Sequence, residues 1–402
     1  MSGKNKHILV ITERYAPEPF LVTDLAEAWV KQGNNVTVVT QIPSYPGDKI
    51  YKGYRNSHSV ETLNGVRIVR FPTVTGYSKS LVRKILNYLM FMLREVWFAF
   101  KESRHADAVF VYHTGPLTQA LAVIPIKIIR KVPITIWTQD VWPDAVFAYG
   151  FPQTGAFAVI LKQFIKTIYR YCDTILVTSP GFLERLKPYT KGKTVAFVPQ
   201  WAPDEVLKCE PAPFALDDSR TKFIFTGNVG SMQALDVVIK AFAELKNENV
   251  VFYILGDGNK RRDFEKLAEA IGASNVKFLG SVPQKQVLSC IRQCDFSVLS
   301  LSANKLIGLT IPAKFQTYLA AGKPILAVCE GEVAKFVRGK DIGIVAEVKV
   351  EAVKNTLQTI ISARESSKRI WIENIIGVQS FFNKSDCATA IYKSLISRKN
   401  YA

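Results

Sequence analysis

Lys314 stands at the mouth of a short helix-like stretch in IPAKFQTYLAAGKPIL, residues 311–326. The leading amides of a helix already concentrate positive charge there, so an added cation suits an anion such as phosphate. A solvated surface lysine is the plain alternative. Two loops of the same kind precede it, FTGNVGSMQALD (225–236) and LGDGN (255–259). Gly227, Gly230, Gly256 and Gly258 let backbone N–H groups approach a phosphate without Cβ interference. Each glycine pair alone reads equally well as an ordinary turn. Three such loops in one half of the chain, the last with Lys314, point to a phosphate-bearing ligand. In the other half, His113 ends AVFVYH and Asp140 ends ITIWTQD. A carboxylate in that position can orient an acceptor or stabilise developing positive charge. Helix capping ahead of VWPD is the structural alternative for Asp140, and a satisfied buried imidazole is the alternative for His113.

These residues need elements to hold them. Short runs rich in Val, Ile and Phe recur: HILVIT, VTVVT, VRIVRF, AVFVYH, ITIWTQD, TILVTS and TVAFVP, then KFIFTGN, VVFYILG, VKFLG, FSVLSL, PILAVC and GIVAEV. Unbroken apolar runs mark strands covered on both faces, as in parallel sheets. Helical patterns lie between many of them, such as VTDLAEAWVKQG (22–33) and LDVVIKAFAELKN (235–247), each with an early acid. Strand and helix in alternation is the α/β signature. The stretch 199–220, PQWAPDEVLKCEPAPFALDDSR, is rich in proline and acid and lacks periodicity, so it reads as the linker. The predicted domains are 1–200 and 201–380, with a terminal helix over 381–402 packing back on the first. At 402 residues the chain exceeds one core, which suits two domains.

Residues 80–101, SLVRKILNYLMFMLREVWFAFK, form one basic, greasy helix. At 100° per residue, Arg83, Asn87, Arg94 and Lys101 fall on one narrow stripe. Arg94 and Glu95 interrupt the apolar run too early for a membrane span. Two readings remain, a buried helix with a solvated stripe and a helix lying in a membrane interface. From 77 to 131 the cations are Lys79, Arg83, Lys84, Arg94, Lys101, Arg104, Lys127, Arg130 and Lys131, opposed by Glu95, Glu102 and Asp107. Each cation near an anionic leaflet contributes about 1 kcal/mol.

The balance of 52 Lys+Arg against 34 Asp+Glu gives a formal charge of +18, so the partners are expected to be anionic. Nucleic acid is not among the expected partners, because no recognition helix, zinc finger or aromatic RNA-binding strand appears. Cys290 and Cys294 can share a helix face, but with only four histidines, none nearby, a metal site is not expected. Six scattered cysteines read as reduced thiols. HILVIT ahead of Glu13 and Arg14 is too short for a signal-peptide core, which points to the cytoplasm.

The order of motifs resembles the GT-B glycosyltransferases, and within them the retaining glycosyltransferase family 4, of the bacterial capsule or O-antigen type. The resemblance runs over essentially the whole chain. It is most specific in IPAKFQTYLAAGKPIL, similar to that family's donor-phosphate loop and the helix leading to AAG-x-P. GNVGSMQALDVVIKAF resembles its first C-domain loop, LGDG its second, and VKFLGSV the turn near the nucleobase. VTSPGFLERL and VPQW stand where the family carries its last N-domain helix and interdomain crossing.

The fold this implies is α/β, GT-B, with two Rossmann-like domains facing across a cleft. The implied donor-binding set is Gly227, Asn228, Gly230, Gln233, Gly256, Asp257, Gly258, Val282, Thr310, Ile311, Pro312, Lys314, Gln316 and Thr317. Asn228 and Gln233 replace the family's arginine and lysine, and its paired glutamates fall near Leu309 and Thr317, so the electrostatic load shifts to Lys314. Glu18 and Phe20 replace glycines of the acceptor loop and are assigned to acceptor binding. Asp140, Lys314 and His113 are the expected catalytic set. The implied activity is transfer of a sugar from a nucleotide-sugar, UDP-linked by frequency among relatives, to a polyprenyl-diphosphate-linked saccharide. No metal or other cofactor is expected. The enzyme is expected in the cytoplasm, peripheral on the anionic inner face of the plasma membrane. Rival readings are a GT-B-shaped sugar-nucleotide epimerase and a noncatalytic membrane-associated scaffold.

Overall fold

The computed structural model describes residues 5–45, 49–76, 80–148, 150–216, 219–362 and 365–396. The chain divides into two compact units, 1–199 with 385–402, and 200–384. Lys79, counted above among the cations, and the last residues of the 381–402 helix lie outside the described residues.

Unit 1 begins with β1 (His7–Thr12), α1 (Leu21–Lys31), β2 (Asn35–Gln41), β3 (Ser59–Leu63) and β4 (Val66–Phe71). It continues with α2 (Leu81–Glu102), β5 (Ala108–His113), α3 (Val123–Pro125), a wide helical turn Ile126–Arg130 and β6 (Ile134–Thr138). Then come α4 (Asp144–Ala148), α5 (Gly155–Tyr171), β7 (Thr174–Val177), α6 (Pro180–Leu186) and β8 (Thr194–Phe197). The sheet order is β3-β4-β2-β1-β5-β6-β7-β8, parallel except for β3. β3 carries no continuous apolar run, because this edge strand is half solvated. Its true signal is Asn64-Gly65, both at positive φ, the turn that joins β3 to β4 as a hairpin.

Unit 2 runs α7 (Asp204–Leu207), β9 (Thr221–Thr226), α8 (Leu235–Glu244), β10 (Val250–Leu255), α9 (Arg261–Ala270), β11 (Val276–Gly280) and α10 (Gln284–Arg292). It goes on with β12 (Phe296–Ser300), α11 (Lys314–Ala321), β13 (Ile325–Val328), α12 (Glu332–Lys340), β14 (Gly343–Ala346), α13 (Val350–Ser362) and α14 (Glu365–Gln379). All six strands are parallel, in the order β11-β10-β9-β12-β13-β14. Side chains alternate between two cores. Ile224, Val251, Tyr253 and Leu299 join one, and Phe223, Phe225, Phe252 and Val298 join the other. Both faces are apolar, which is why these strands read as unbroken runs.

The final helix, α15 (Lys384–Ile396), packs with unit 1: Tyr392 Oη meets Asn34 Oδ1 at 3.0 Å and Thr135 Oγ1 donates to the Ser394 carbonyl at 3.3 Å. The helix before it does not follow. α14 stays in unit 2, because Ile375 and Val378 are buried in that core and Gln379 Nε2 donates to the Leu319 carbonyl at 2.6 Å.

α2 is turned over relative to a buried helix with a polar stripe. Asn87, Phe91, Glu95 and Ala99 face inward at 0–2% exposure, while Val82 (75%), Leu93 (65%) and Trp97 (72%) face solvent. Asn87 fixes this orientation. Its Oδ1 accepts from Thr73 Oγ1 and Val74 N at 2.9 Å, and its Nδ2 donates to Gln41 Oε1 at 3.3 Å. The loop after β4 thus takes the Asn87 amide, and Val82, Leu93 and Trp97 are left outside. Glu95 is buried with neither carboxyl oxygen hydrogen-bonded, and burial holds its pKa well above the usual carboxylate range.

Candidate functional site

In an open parallel sheet the ligand crevice lies beyond the strand C-termini, where the strand order reverses. In unit 2 that point is between β9 and β12. The two strands pair only through Phe296↔Phe223 and Ser297↔Ile224, then separate. Tyr318 of α11 fills the gap: the Thr226 N–H donates to its hydroxyl at 2.9 Å, and the hydroxyl donates to the Val298 carbonyl at 3.1 Å. This wedge fixes the start of α11 beside the loop after β9.

Lys314 is therefore carried to the switch point. Its Nζ is buried without a hydrogen-bond partner and lies 3.7 Å from the centre of the Phe225 ring, while part of the residue stays open. A Cβ on Gly227 would sit 3.6 Å from that Nζ. Desolvation pushes the ammonium's pKa down to about 7. The ring face offsets part of this by cation–π attraction, up to about 2 kcal/mol when dry. An unpaired cation at this place is a seat for an anion.

The glycine loops serve it differently from the way their sequence suggests. Of the GNVG amides, Gly227 donates to Leu255 O, Val229 to Asp257 O and Gly230 to Gln233 Oε1. Three of the four amides are thus engaged inside the protein. The glycines are required because the loops touch. A Cβ on Gly256, at φ +149°, would lie 1.9 Å from Gly227 O, and one on Gly258 would lie 2.4 Å from Val229 O. Asn228 is exposed, its side chain close to both Gly230 and Gly258, and Asp257 spends Oδ1 on the Gly258 N–H at 2.8 Å.

The remaining residues of the expected donor set divide. Thr310 Oγ1 donates to Ile307 O at 2.8 Å. Pro312 is half-buried, and Gln316 is buried, with its amide nitrogen 3.0 Å from the carbonyls of Pro312 and Ala313. Thr317 is buried at 7% exposure. Ile311 lies in the core, and Val282 packs against the same core. Lys314, Gly227, Asn228, Gly230, Gln233, Asp257 and Gly258 are brought together by the two loops and α11; Ile311 and Val282 are held by packing.

Unit 1 has its own switch point, between β1 and β5. His113, at the end of β5, is fully buried, and desolvation holds its pKa down to about 4, so the imidazole is neutral at pH 7. Nε2 lies 3.0 Å from the Gly115 carbonyl, which only accepts, so Nε2 carries the proton and Nδ1 is an unpartnered acceptor. Asp140 follows β6; protein atoms crowd its carboxyl and raise its pKa, although the residue keeps an open face that limits the effect. Glu18 is buried, and its Oε1 takes the Ser44 and Tyr45 amides at 2.8 and 2.7 Å and Arg14 Nη1 at 3.3 Å. Phe20 packs against Tyr45, with ring centroids 5.4 Å apart. Glu18 and Phe20 thus shape the loop that follows β2.

Glu13, whose carboxyl pairs with Arg14 at 3.0 Å and abuts Gly115, has no local sequence signal that marks it as part of a site. Phe225 and Tyr318 are equally unmarked in the sequence. Each sits in an apolar run, and only the fold shows that one faces Lys314 and the other bridges two strands. Among the described residues, no group of three His, Cys, Asp or Glu is placed to hold a metal ion.

Residues 210–376 match the family model described as glycosyl transferases group 1. That match falls within unit 2 and covers less than half of the chain. The chain is similar to WbjE of Pseudomonas aeruginosa, named as a glycosyltransferase, with 28% identity over 51% of this chain. That match spans 53% of WbjE, about half its length. It is also similar to WcaI of Escherichia coli (strain K12), whose name assigns it to colanic acid biosynthesis as a glycosyl transferase. There the identity is 22% over 78% of this chain and 81% of WcaI. A solved trehalose-6-phosphate structure from E. coli bound with UDP-2-fluoro glucose has a TM-score of 0.71 at 10% identity, covering 98% of this chain and 99% of that one. Such a likeness bears on the fold, which is that of the GT-B class: two Rossmann-like α/β domains with parallel sheets. In unit 2, within the matched residues, Lys314 and the two glycine loops are the features at the ligand end of the sheet.

Proposed function

We propose that the protein is a retaining glycosyltransferase moving a sugar from a nucleoside-diphosphate donor, a UDP-sugar, to a polyprenyl-diphosphate-linked saccharide. The process served is assembly of a bacterial surface polysaccharide of the capsule or O-antigen type. One observation carries the reading: a buried lysine ammonium without a partner, held over Phe225 beside Gly227 at the β9/β12 switch point. A diphosphate seated there gains a charge-assisted contact of about 1.5–3 kcal/mol. The same cation stabilises the charge that grows on the diphosphate as its bond to the sugar breaks, the step at which fixed charges act most. No metal or cofactor enters the proposal.

In unit 1, neutral His113 offers a buried acceptor nitrogen and Asp140 a carboxyl at the strand ends, groups suited to orienting the attacking hydroxyl. The outward apolar face of α2 supports a lipid-borne acceptor and a peripheral place on the inner face of the plasma membrane. No helix among the described residues is long and apolar enough to cross a membrane.

The test is incubation of the purified chain with a panel of UDP- and GDP-sugars, with and without a polyprenyl-diphosphate saccharide. UDP release that requires the lipid acceptor supports the proposal. Sugar isomerisation without acceptor would make the protein an epimerase, and no nucleotide binding would leave a scaffold.

A further inference from the structure

Three segments of unit 1 lie side by side on one face of its sheet. The strand order runs β4, β2, β1, β5, β6, β7, so the connections β4 to β5, β5 to β6 and β6 to β7 all step the same way. Right-handed crossovers then put α2, the 126–130 turn and α5 on a common face, with α1 on the other. Neighbours are tied together: the Arg130 guanidinium lies 4.8 Å over the Phe100 ring of α2, and Lys127 Nζ donates to Asp173, just past α5, at 2.6 Å.

Each segment shows apolar side chains to solvent. Beside Leu93 and Trp97 of α2, the turn exposes Ile128 (54%) and Ile129 (58%), and α5 exposes Val159 (66%) and Ile160 (69%). Single exposed hydrophobics are ordinary on a protein surface, but adjoining elements that all expose them form an interaction face. The charge around this face is mostly positive, with Asp173 paired to Lys127. α5 carries Lys162, Lys166 and Arg170 and no acid, and 126–131 carries Lys127, Arg130 and Lys131 and no acid. The two acids of α2 are withdrawn, Glu95 by burial and Glu102 by Arg67 at 2.8 Å.

We propose that this three-element face docks on an anionic lipid bilayer, with α5 forming a second foot beside α2. The inference rests on the membrane-acceptor reading above and adds the elements and the lipid charge that anchor it. Apolar side chains flanked by cations suit a surface with a hydrocarbon interior and anionic headgroups. A second copy of the chain would instead bring like charges together. Two feet on neighbouring helices also fix how unit 1 is rotated on the surface, which one helix alone does not.

The test is co-sedimentation of the full chain with phosphatidylcholine vesicles, with and without phosphatidylglycerol. Emission of Trp97 is read by difference against Trp97→Phe. Expected are binding that needs phosphatidylglycerol and weakens with salt, and a blue shift of Trp97. The double variant Val159→Ser/Ile160→Ser changes only exposed side chains and should lower partitioning roughly tenfold or more. If that variant binds like wild type while Leu93→Ser/Trp97→Ser does not, the second foot is wrong and the membrane reading stands. If wild type ignores both vesicles, both fall. Equal binding to both vesicle types overturns the anionic requirement, and a wild-type dimer dispersed by the α5 variant without vesicles overturns the lipid occupant.

Discussion

Nucleotide affinity should depend steeply on pH, and the dependence should vanish when Lys314 is replaced by a residue whose charge does not titrate. Desolvation holds the Lys314 pKa down to about 7 in the empty site, and a seated diphosphate favours the ammonium form and raises it. Binding above pH 7 therefore takes up a proton. Between the free and bound pKa values, affinity should fall about tenfold, or 1.4 kcal/mol, for each pH unit. The phosphate's own last ionisation, near 6, is complete across this window and adds no slope. The assay is titration calorimetry with UDP at pH 7, 8 and 9 in buffers of different ionisation enthalpy, which also counts the proton. Lys314→Arg should flatten the profile, and Lys314→Met should lose affinity at pH 7 and flatten it too. The empty protein should show the linked effect. The unfolded lysine holds its proton to about 10.4 and the folded one loses it near 7, so stability should climb with pH between those values. A flat UDP profile for wild type, with no proton uptake, would refute the placement of the diphosphate on Lys314.

Other outcomes follow from the same geometry. Gly256→Ala puts a Cβ 1.9 Å from Gly227 O at φ +149°, so it should lower stability by about 3 kcal/mol or more in urea denaturation, whereas Gly339→Ala, which meets nothing within 4 Å, should not. Tyr318→Phe removes the hydroxyl between Thr226 and Val298 and should cost about 1–3 kcal/mol. It should also weaken UDP binding, because α11 loses its bridge; unchanged affinity by calorimetry would uncouple that wedge from the site. Glu95→Met should stabilise the protein at neutral pH. A carboxyl whose folded pKa is raised contributes fully below its unfolded value near 4.5 and loses that contribution as pH rises through the folded one, so the variant's advantage should appear above pH 4.5 in thermal melts.

The α/β class was legible from the apolar runs because parallel strands bury both faces, and the place of Lys314 at a helix start was legible because it is a local pattern. The glycine loops were located correctly as turns after strands, but their geometry was not readable. Whether an amide faces outward or donates to the neighbouring loop depends on a contact between segments about thirty residues apart. α2 shows the same limit in another form. Its composition marked it as basic and greasy, yet Asn87 alone could not show that residues 73 and 74 would claim its amide and turn Leu93 and Trp97 outward.

By itself the sequence determined the alternation of strand and helix, the position of the lysine at the mouth of α11 and the excess of positive charge, because each depends on residues adjacent in the chain. Only the tertiary structure decided that Lys314 is dry and unpaired over Phe225, that Tyr318 holds β9 and β12 apart, and which face of α2 meets solvent. Those outcomes depend on desolvation and packing, which exist only once distant segments close on one another.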